Sequence, residues 1–109
     1  MARRFRRVLP IAALAAVLAA GQYVKTRTIE GTVTDQSGKP VDGAVVKAEN
    51  TETLQIRSYI TQRDGTFVFH GLNSRVDYRV KAESDGRTAE QMVSKFNSKP
   101  EVTVNLKLR

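Results

Sequence analysis

Few side chains in this chain of 109 residues are of the kinds that perform chemistry. There is no cysteine and a single histidine, His70, so thiol catalysis is excluded and a catalytic zinc site lacks its usual histidine ligands. A Ser-His-Asp arrangement would have to use His70, but the sequence has no Gly-x-Ser-x-Gly segment. We therefore interpret His70 as an outward or edge residue of a strand, and we predict no catalytic residue, no metal ligand and no cofactor.

Three aspartates in predicted loops, Asp35, Asp42 and Asp64, are the candidate calcium ligands. Calcium takes about 6–8 oxygen ligands, and the acidic residues here are too sparse for the Asp-x-Asp-x-Asp pattern that supplies them. An aspartate in a turn commonly accepts a hydrogen bond from the backbone a little further on. We expect these residues to cap turns.

Polar and aromatic side chains on two predicted strands form a candidate ligand or partner surface. It comprises Gln55, Arg57, Tyr59, Arg79 and Lys81. We expect Tyr59 to stand outside, on one strand face with Gln55 and Arg57, and we expect Arg57 to lie near Arg79 and Lys81. The alternatives are that Tyr59 only covers a sheet face, and that the charges form an ordinary solvated face.

The N-terminal segment has the composition of a secretory leader. Four arginines precede residue 8, residues 8–20 are apolar, and small residues occupy positions 19 and 21. This apolar run suits a signal peptide and is shorter than the about 20 residues that a membrane-spanning helix needs. We predict that residues 1–21 form a helical signal peptide, cleaved before Gln22 or two residues earlier, and that the mature chain is periplasmic or secreted. The alternative is an uncleaved anchor, through which alone the protein would contact the membrane.

The basic charge is largely a property of this leader. The formal net charge is +7, from 18 basic and 11 acidic residues, but four of the basic residues lie in the leader, which has no acid. The modest excess that remains on an exported domain argues against nucleic acid as a partner. We expect an envelope protein or a glycan instead.

After the leader, apolar and polar residues alternate with period two, which is typical of half-buried strands. The alternating rows are Ile29, Gly31 and Val33; Ala44, Val46 and Ala48; Leu54, Ile56, Ser58 and Ile60; Phe67 and Phe69; Val76, Tyr78, Val80 and Ala82; and Val102, Val104, Leu106 and Leu108. Arg63-Asp64-Gly65 is typical of a hairpin turn. The pattern predicts an all-β fold, a seven-stranded antiparallel Greek-key β-sandwich, as one domain over residues 22–109.

Residues 88–96 fit two periods. Ala89, Met92, Val93 and Phe96 have helical spacing, whereas Ala89, Gln91 and Val93 alternate as in an edge strand. Because strands flank this short segment, we favour a strand.

Two separated sets of residues follow a known pattern. The first is Gly31-Thr32-Val33-Thr34-Asp35, Ser37-Gly38-Lys39-Pro40-Val41 and Gly43-Ala44-Val45-Val46; the second is Asp64-Gly65-Thr66-Phe67-Val68-Phe69, Gly71-Leu72 and Val76-Asp77-Tyr78-Arg79-Val80. Together, over about residues 29–108, they resemble the carboxypeptidase regulatory-like domains. The resemblance implies a transthyretin-like (prealbumin-like) sandwich, grouped with carbohydrate-binding-like folds. Similar domains occur beside zinc carboxypeptidases, in outer-membrane receptors and in surface proteins, and the pattern contains no catalytic residue.

These observations predict an exported, non-catalytic accessory or interaction module of the cell envelope. Binding would use loops at one end of the sandwich or an exposed edge strand that adds to a partner's sheet. A carbohydrate-binding module that uses Tyr59 and its polar neighbours is the alternative, although the absence of tryptophan weighs against it.

Overall fold

The structure, a computed structural model, describes residues 25–109, which form two facing β-sheets. The strands are β1 (Thr26–Thr34), β2 (Val45–Asn50), β3 (Ile56–Ile60), β4 (Thr66–Asn73), β5 (Tyr78–Ser84), β6 (Arg87–Val93) and β7 (Glu101–Lys107). One sheet has the order β4-β1-β7 and the other the order β3-β2-β5-β6. The predicted all-β sandwich of seven strands is confirmed. The predicted leader lies outside the described residues, and no helix within residues 25–109 is long and apolar enough to cross a membrane.

Strand pairing departs from the prediction at one place. β1 and β7 run parallel, with Thr28 opposite Glu101 and Thr34 opposite Lys107, whereas every other pair is antiparallel. The reason is that residues 94–100 carry the chain from the four-stranded sheet across to the other sheet, so that β7 enters beside β1 in the same direction. The neighbours β1 and β4, and β2 and β5, are not consecutive in the chain, which is typical of Greek-key connections.

The apolar rows of both sheets meet between the layers. The buried core comprises Ile29, Val33, Ala44, Val46, Ala48, Phe67, Phe69, Leu72, Val76, Tyr78, Val80, Ala82, Val93, Val102, Val104, Leu106 and Leu108. The rings of Phe67 and Phe69 lie side by side with centroids 6.0 Å apart, as the alternation predicted. Residues 87–93 form strand β6, which confirms the strand and excludes the helix for this segment.

The predicted orientation of β3 is wrong. Leu54, Ile56 and Ile60, the apolar row of this strand, are exposed to solvent, while Tyr59 is half-buried against the core. The pairing with β2 places Tyr59 opposite the buried Val46, and therefore on the inner side of the sheet. The more apolar face of β3 is thus the outer one.

Hydrogen bonds at the end of β3 fix this orientation. Thr61, the next residue, is buried; its hydroxyl accepts from the amide of Ala44 at 2.9 Å and donates to the carbonyl of Val41 at 2.6 Å. Since side chains alternate along a strand, an inward Thr61 also places Tyr59 inward and Ile60 outward. A satisfied buried hydroxyl therefore determines which face of β3 is covered.

The turn at residues 63–65 is present, but it is not a hairpin between paired strands. It joins β3 and β4, which belong to different sheets. Gly65 has a φ of +74°, and a β-carbon there would lie 2.6 Å from the carbonyl oxygen of Val33. Only glycine fits this close approach without strain.

Candidate functional site

The five residues of the predicted ligand or partner surface do not form one surface. Arg57 and Tyr59 lie on the inner side of β3, where the edges of the two sheets meet. Arg79 and Lys81 project from the outer face of the four-stranded sheet, and Gln55 is an exposed residue just before β3. The expectation that Arg57 lies near Arg79 and Lys81 is wrong because it assumed the opposite orientation of β3.

Tyr59 and Arg57 connect the two sheets. The ring of Tyr59 meets that of Phe69 edge to face, with centroids 6.1 Å apart, and its hydroxyl accepts a hydrogen bond from the amide nitrogen of the Gln62 side chain at 3.2 Å. Arg57 Nη1 donates to the backbone carbonyl of His70 at 2.6 Å. These contacts occupy both side chains, so the ring of Tyr59 is not free on an outer face.

Arg79 and Lys81 lie among other charges. Arg79 contacts the carboxylates of Glu49 at 2.8 Å and Glu90 at 2.9 Å, while Lys81 stands opposite Lys47 on β2. Exposed ion pairs of this kind contribute about 0–1 kcal/mol each. The geometry is that of a solvated, largely neutralised sheet face.

His70, Asp35 and Asp64 occupy the positions that the sequence predicted for them, whereas no turn-capping hydrogen bond to the Asp42 side chain is found among residues 25–109. His70 is exposed on β4, with Nδ1 3.3 Å from the hydroxyl of Thr28. Asp35 accepts hydrogen bonds from the hydroxyl of Ser37 at 2.7 Å and from two backbone amides, and Asp64 accepts from the hydroxyl of Thr66 at 2.7 Å and its amide at 3.1 Å. Within residues 25–109 no group of three acidic or histidine side chains is placed to hold a metal ion.

These hydrogen bonds change the acidity of both aspartates. The Ser37 hydroxyl, together with the Lys39 amide, holds the pKa of Asp35 below its ordinary value of 3.8. The Thr66 hydroxyl, and then its amide, do the same to the pKa of Asp64. Both carboxylates are turn caps, whose charged form the local donors favour.

The outer side of β3 is a feature that the sequence analysis missed. Ile56 and Ile60 are 53% and 62% exposed, and Leu54 just before the strand is 67% exposed. We call these three residues the β3 edge surface. The half-buried Val45 stands opposite Ile60 on β2 and extends the apolar area. Because β3 is an edge strand of its sheet, one side of its backbone is not hydrogen-bonded to another strand among residues 25–109.

The other sheet edges differ from β3 in side-chain character. Their exposed positions include Glu90 on β6, Glu101 and Lys107 on β7, and His70 on β4. Charged residues on an edge discourage pairing with a further strand. The β3 edge surface has no such residue on its outer face, so the four-stranded sheet can be extended at this edge.

Arg27 is the second feature that the sequence analysis missed. It lies on β1 two residues before Ile29, and both are buried on the same side of the sheet. The partner strand accommodates them with a bulge: β4 has one more residue than β1 between the pairs Arg27–Leu72 and Ile29–Phe69. Gly71 sits in this bulge with a φ of +70°, the conformation that such bulges place on glycine. Extending the alternation of β1 back from Ile29 would have indicated an inward arginine.

Solved structures share the fold at low sequence identity. One is the dioxygenase domain of a dioxygenase carbohydrate-binding protein fusion from Streptomyces sp. SirexAA-E, with 19% identity, coverage of 74% of this chain and 77% of that one, and a TM-score of 0.54. A second is the catechol 1,2-dioxygenase of Acinetobacter radioresistens, with 16% identity, 81% and 53% coverage and a TM-score of 0.58. A third is the group B streptococcus pilus 2b backbone protein, with 16% identity, 76% and 41% coverage and a TM-score of 0.51.

These similarities concern the fold alone. The chain spans about half the length of the catechol dioxygenase and less than half of the pilus protein. No curated protein matches the chain.

The sequence pattern of a family covers the whole sandwich. The family model described as "carboxypeptidase regulatory-like domain" matches residues 28–109, from the third residue of β1 to the last residue given. This range contains both sets of residues that carried the resemblance, most of β1 and all of strands β2 to β7. The chain therefore belongs to the carboxypeptidase regulatory-like domain family.

Proposed function

We propose that this protein is an exported, non-catalytic accessory module that binds another protein of the cell envelope by strand addition at β3. The observation that carries the proposal is the β3 edge surface, where exposed isoleucines coincide with an unpaired strand edge. The composition of the leader supports export. The family and the sandwich fold support an accessory role.

Strand addition would satisfy both properties of this edge. An added strand hydrogen-bonds to the free side of the β3 backbone, which supplies affinity, and its alternate side chains supply specificity. Full burial of an isoleucine contributes about 1.5–3 kcal/mol, so covering Ile56 and Ile60 from their half-exposed state contributes about 1 kcal/mol each. The segment that fits is extended, with apolar residues at every second position.

Two competing functions have less support. Enzymatic activity would have to centre on His70, whose ring forms its one hydrogen bond within residues 25–109 with the hydroxyl of Thr28. Carbohydrate binding was expected to use Tyr59 as an aromatic platform, but that ring packs against Phe69. His70→Ala is therefore expected to leave the partner interaction intact.

Site-specific photo-crosslinking in intact cells tests the proposal. A photoreactive amino acid at Ser58, on the outer face of β3 between the two isoleucines, should yield an adduct with one envelope protein. The double variant Ile56→Lys/Ile60→Lys should abolish this adduct, because it places two charges in the apolar contact. Mass spectrometry of the purified adduct identifies the partner and the segment that is crosslinked.

The opposite edge of the same sheet supplies the control. The photoreactive residue at Thr88 on β6 should give no adduct with that protein, and Thr88→Lys/Met92→Lys should leave the Ser58 adduct unchanged. Adducts of equal yield from both edges, or an adduct that survives the β3 lysines, would contradict strand addition at β3.

The N-terminus of the recovered protein tests export separately. Intact-mass measurement on the mature chain is expected to find a start between Ala20 and Gln22. Recovery of a chain that still begins at Met1 or Ala2 from a membrane pellet would show instead that the leader anchors the protein.

A further inference from the structure

Arg27 is a buried guanidinium at the end of the sandwich where β1 begins. The residue is only 3% exposed. Its Nη1 donates to the carbonyl of Ser94 at 3.1 Å, and its Nη2 donates to the carbonyls of Asn97 and, at 3.4 Å, Ser74. Its Nε is buried and has no partner among the described residues. One donor of a fully buried cation is therefore left unused.

Among the described residues, Arg27 forms no ion pair with an acidic side chain. The ion pairs found within residues 25–109 both involve Arg79, on another part of the molecule. Residues 1–24 contain no aspartate or glutamate, so the preceding segment cannot supply a carboxylate. Within the part of the chain that the structure describes, carbonyl dipoles are the groups that compensate this charge, although buried charges in proteins are normally paired with an opposite charge.

A cavity adjoins Arg27 and is lined by further cations. Its volume is about 220 Å³, and its lining includes the basic residues Lys25, Arg27, Arg75, Lys95 and Lys99. Among residues 25–109, the lining includes no acidic residue. Two carboxylates belong to neighbouring positions: Asp77 accepts from the backbone amide of Lys95 at 2.6 Å, and Glu101 stands opposite Thr28 on β7.

We propose that this cavity, which we call the Arg27 cavity, is a binding site for a phosphate-type oxyanion. The volume holds several water molecules at about 30 Å³ each, and hence one tetrahedral oxyanion with part of its hydration shell. Lys25, Arg75, Lys95 and Lys99 are exposed donors of the kind that form strong, charge-assisted hydrogen bonds to such an anion, and the buried charge of Arg27 adds to the attraction. This site does not depend on strand addition at β3.

The Arg27 cavity lies close in the chain to the N-terminal apolar segment, so the anion could be either a lipid headgroup or free phosphate. Lys25 lines the cavity, and the apolar residues 8–20 end only five positions earlier. A segment of five residues spans at most about 18 Å, so an uncleaved leader would hold the Arg27 cavity close to the headgroups of anionic phospholipids. If the leader is removed, free phosphate is the available source.

An NMR titration with inorganic phosphate tests the site. Isotope-labelled protein expressed from the full chain is titrated at constant ionic strength, with chloride as the balancing anion. Saturable shifts are expected at the amides of Ser74, Lys95, Asn97 and Lys99. Arg75→Gln/Lys99→Gln should weaken binding about fivefold, because it removes two cations whose side chains make no hydrogen bond or ion pair within residues 25–109.

A matched variant controls for the loss of net charge. Lys47→Gln/Lys81→Gln removes the same charge from the outer face of the four-stranded sheet, where these two lysines stand opposite each other. Its phosphate affinity should equal that of the wild type. Shifts that do not saturate, or equal weakening by the two double variants, would overturn the proposal.

Vesicle sedimentation distinguishes the two sources. The same three proteins are mixed with vesicles of phosphatidylglycerol or of neutral phosphatidylcholine. Greater binding to phosphatidylglycerol that falls only in Arg75→Gln/Lys99→Gln identifies the lipid headgroup as the ligand. Saturable phosphate binding with no such lipid dependence identifies the free ion. A phosphate titration that fails refutes the Arg27 cavity as an anion site and leaves strand addition at β3 untouched.

Discussion

Strands β3 and β4 follow one another in the chain and lie at the same edge of the sandwich, yet they direct their apolar side chains oppositely. β4 buries Phe67 and Phe69 between the sheets. β3 exposes Ile56 and Ile60 and turns Tyr59 inward. The two strands differ because their inward side chains lie in different places. Those of β4 lie in the core between the sheets, whereas those of β3 lie at the rim, where the edges of the two sheets meet.

A rim position favours side chains that are apolar along their length and polar at the tip. Tyr59 places its ring against Phe69 while its hydroxyl meets Gln62, and Arg57 reaches the carbonyl of His70. An isoleucine there would cover the core but would leave that backbone carbonyl without its donor. Amphipathic side chains serve both needs. The isoleucines of β3 are consequently free for contact with another molecule.

The largest expected loss of stability follows from truncating a buried ring on β4. Phe69→Ala removes a fully buried ring and should lower the free energy of unfolding by about 3–5 kcal/mol, through lost transfer energy and the cavity that remains. A domain of this size has about 5–15 kcal/mol in total and this chain has no disulfide, so the variant should unfold at much lower denaturant. Urea denaturation followed by circular dichroism measures the change.

The neighbouring residue on the opposite face is the control. Val68 is half-exposed on the outer side of the three-stranded sheet, and Val68→Thr should cost less than about 1 kcal/mol. Equal destabilisation by the two substitutions would mean that the inner and outer faces of β4 are not as the structure has them.

The rim contact should show an intermediate effect. Tyr59→Ala removes a half-buried ring and its edge-to-face contact with Phe69, for which we expect a loss of about 1–2.5 kcal/mol. Tyr59→Phe keeps the ring and loses only the hydrogen bond with Gln62, so its cost should stay below about 1 kcal/mol. Denaturation midpoints of both variants give the comparison. A silent Tyr59→Ala would place this ring in solvent and restore it as a platform for sugars.

The same contrast explains what the sequence could predict. In β4 the large apolar residues and the period-two pattern agree, so the pattern alone identified the buried rings. In β3 the pattern separated the two faces correctly, but hydrophobicity selected the wrong one for burial. The inward face is decided by Thr61, whose hydroxyl forms hydrogen bonds with the amide of Ala44 and the carbonyl of Val41, both distant in the sequence. Such a pairing depends on tertiary register and leaves no local signal.

Arg27 shows a second limit of the sequence argument. An arginine close to a basic N-terminal segment has the composition of surface charge, and the apolar row of β1 begins only at Ile29. Its burial depends on three carbonyls from residues 74, 94 and 97, which the fold brings together from distant segments. The turn aspartates, in contrast, bond to residues two to four positions on, and were predicted for that reason.

Asp64, in the turn that joins β3 to β4, should make the free energy of unfolding depend on pH in the acidic range. Hydrogen bonds from Thr66 lower the pKa of Asp64 in the folded protein, so the folded state favours the carboxylate. The resulting stabilisation is complete above the ordinary pKa of 3.8 and is lost as the pH falls through the lower folded value. The stability difference between the wild type and Asp64→Asn should therefore be constant near neutral pH and shrink below about pH 4. Urea midpoints measured across this range test it.

Removing the hydroxyl donor should reduce that pH dependence. Thr66→Ala keeps the backbone amide but loses the bond that contributes most to the lowered pKa of Asp64. An acid dependence that is identical in Thr66→Ala and the wild type would mean that another carboxylate, such as Asp35, is responsible.

The smallest expected effect is at the β3 edge surface. Ile56→Thr/Ile60→Thr keeps the β-branched shape that strands favour and changes only exposed side chains, so the free energy of unfolding should change by less than about 1 kcal/mol. The buried Val46 on the adjacent strand gives the contrast, because Val46→Thr places a hydroxyl in the core and should cost about 1–3 kcal/mol. A loss in the double variant as large as that of Val46→Thr would mean that the β3 isoleucines contribute to the core.

Sedimentation of the same proteins sharpens the comparison between the strands: self-association of the wild type that disappears in the double variant would identify the partner of β3 as a second copy of this chain.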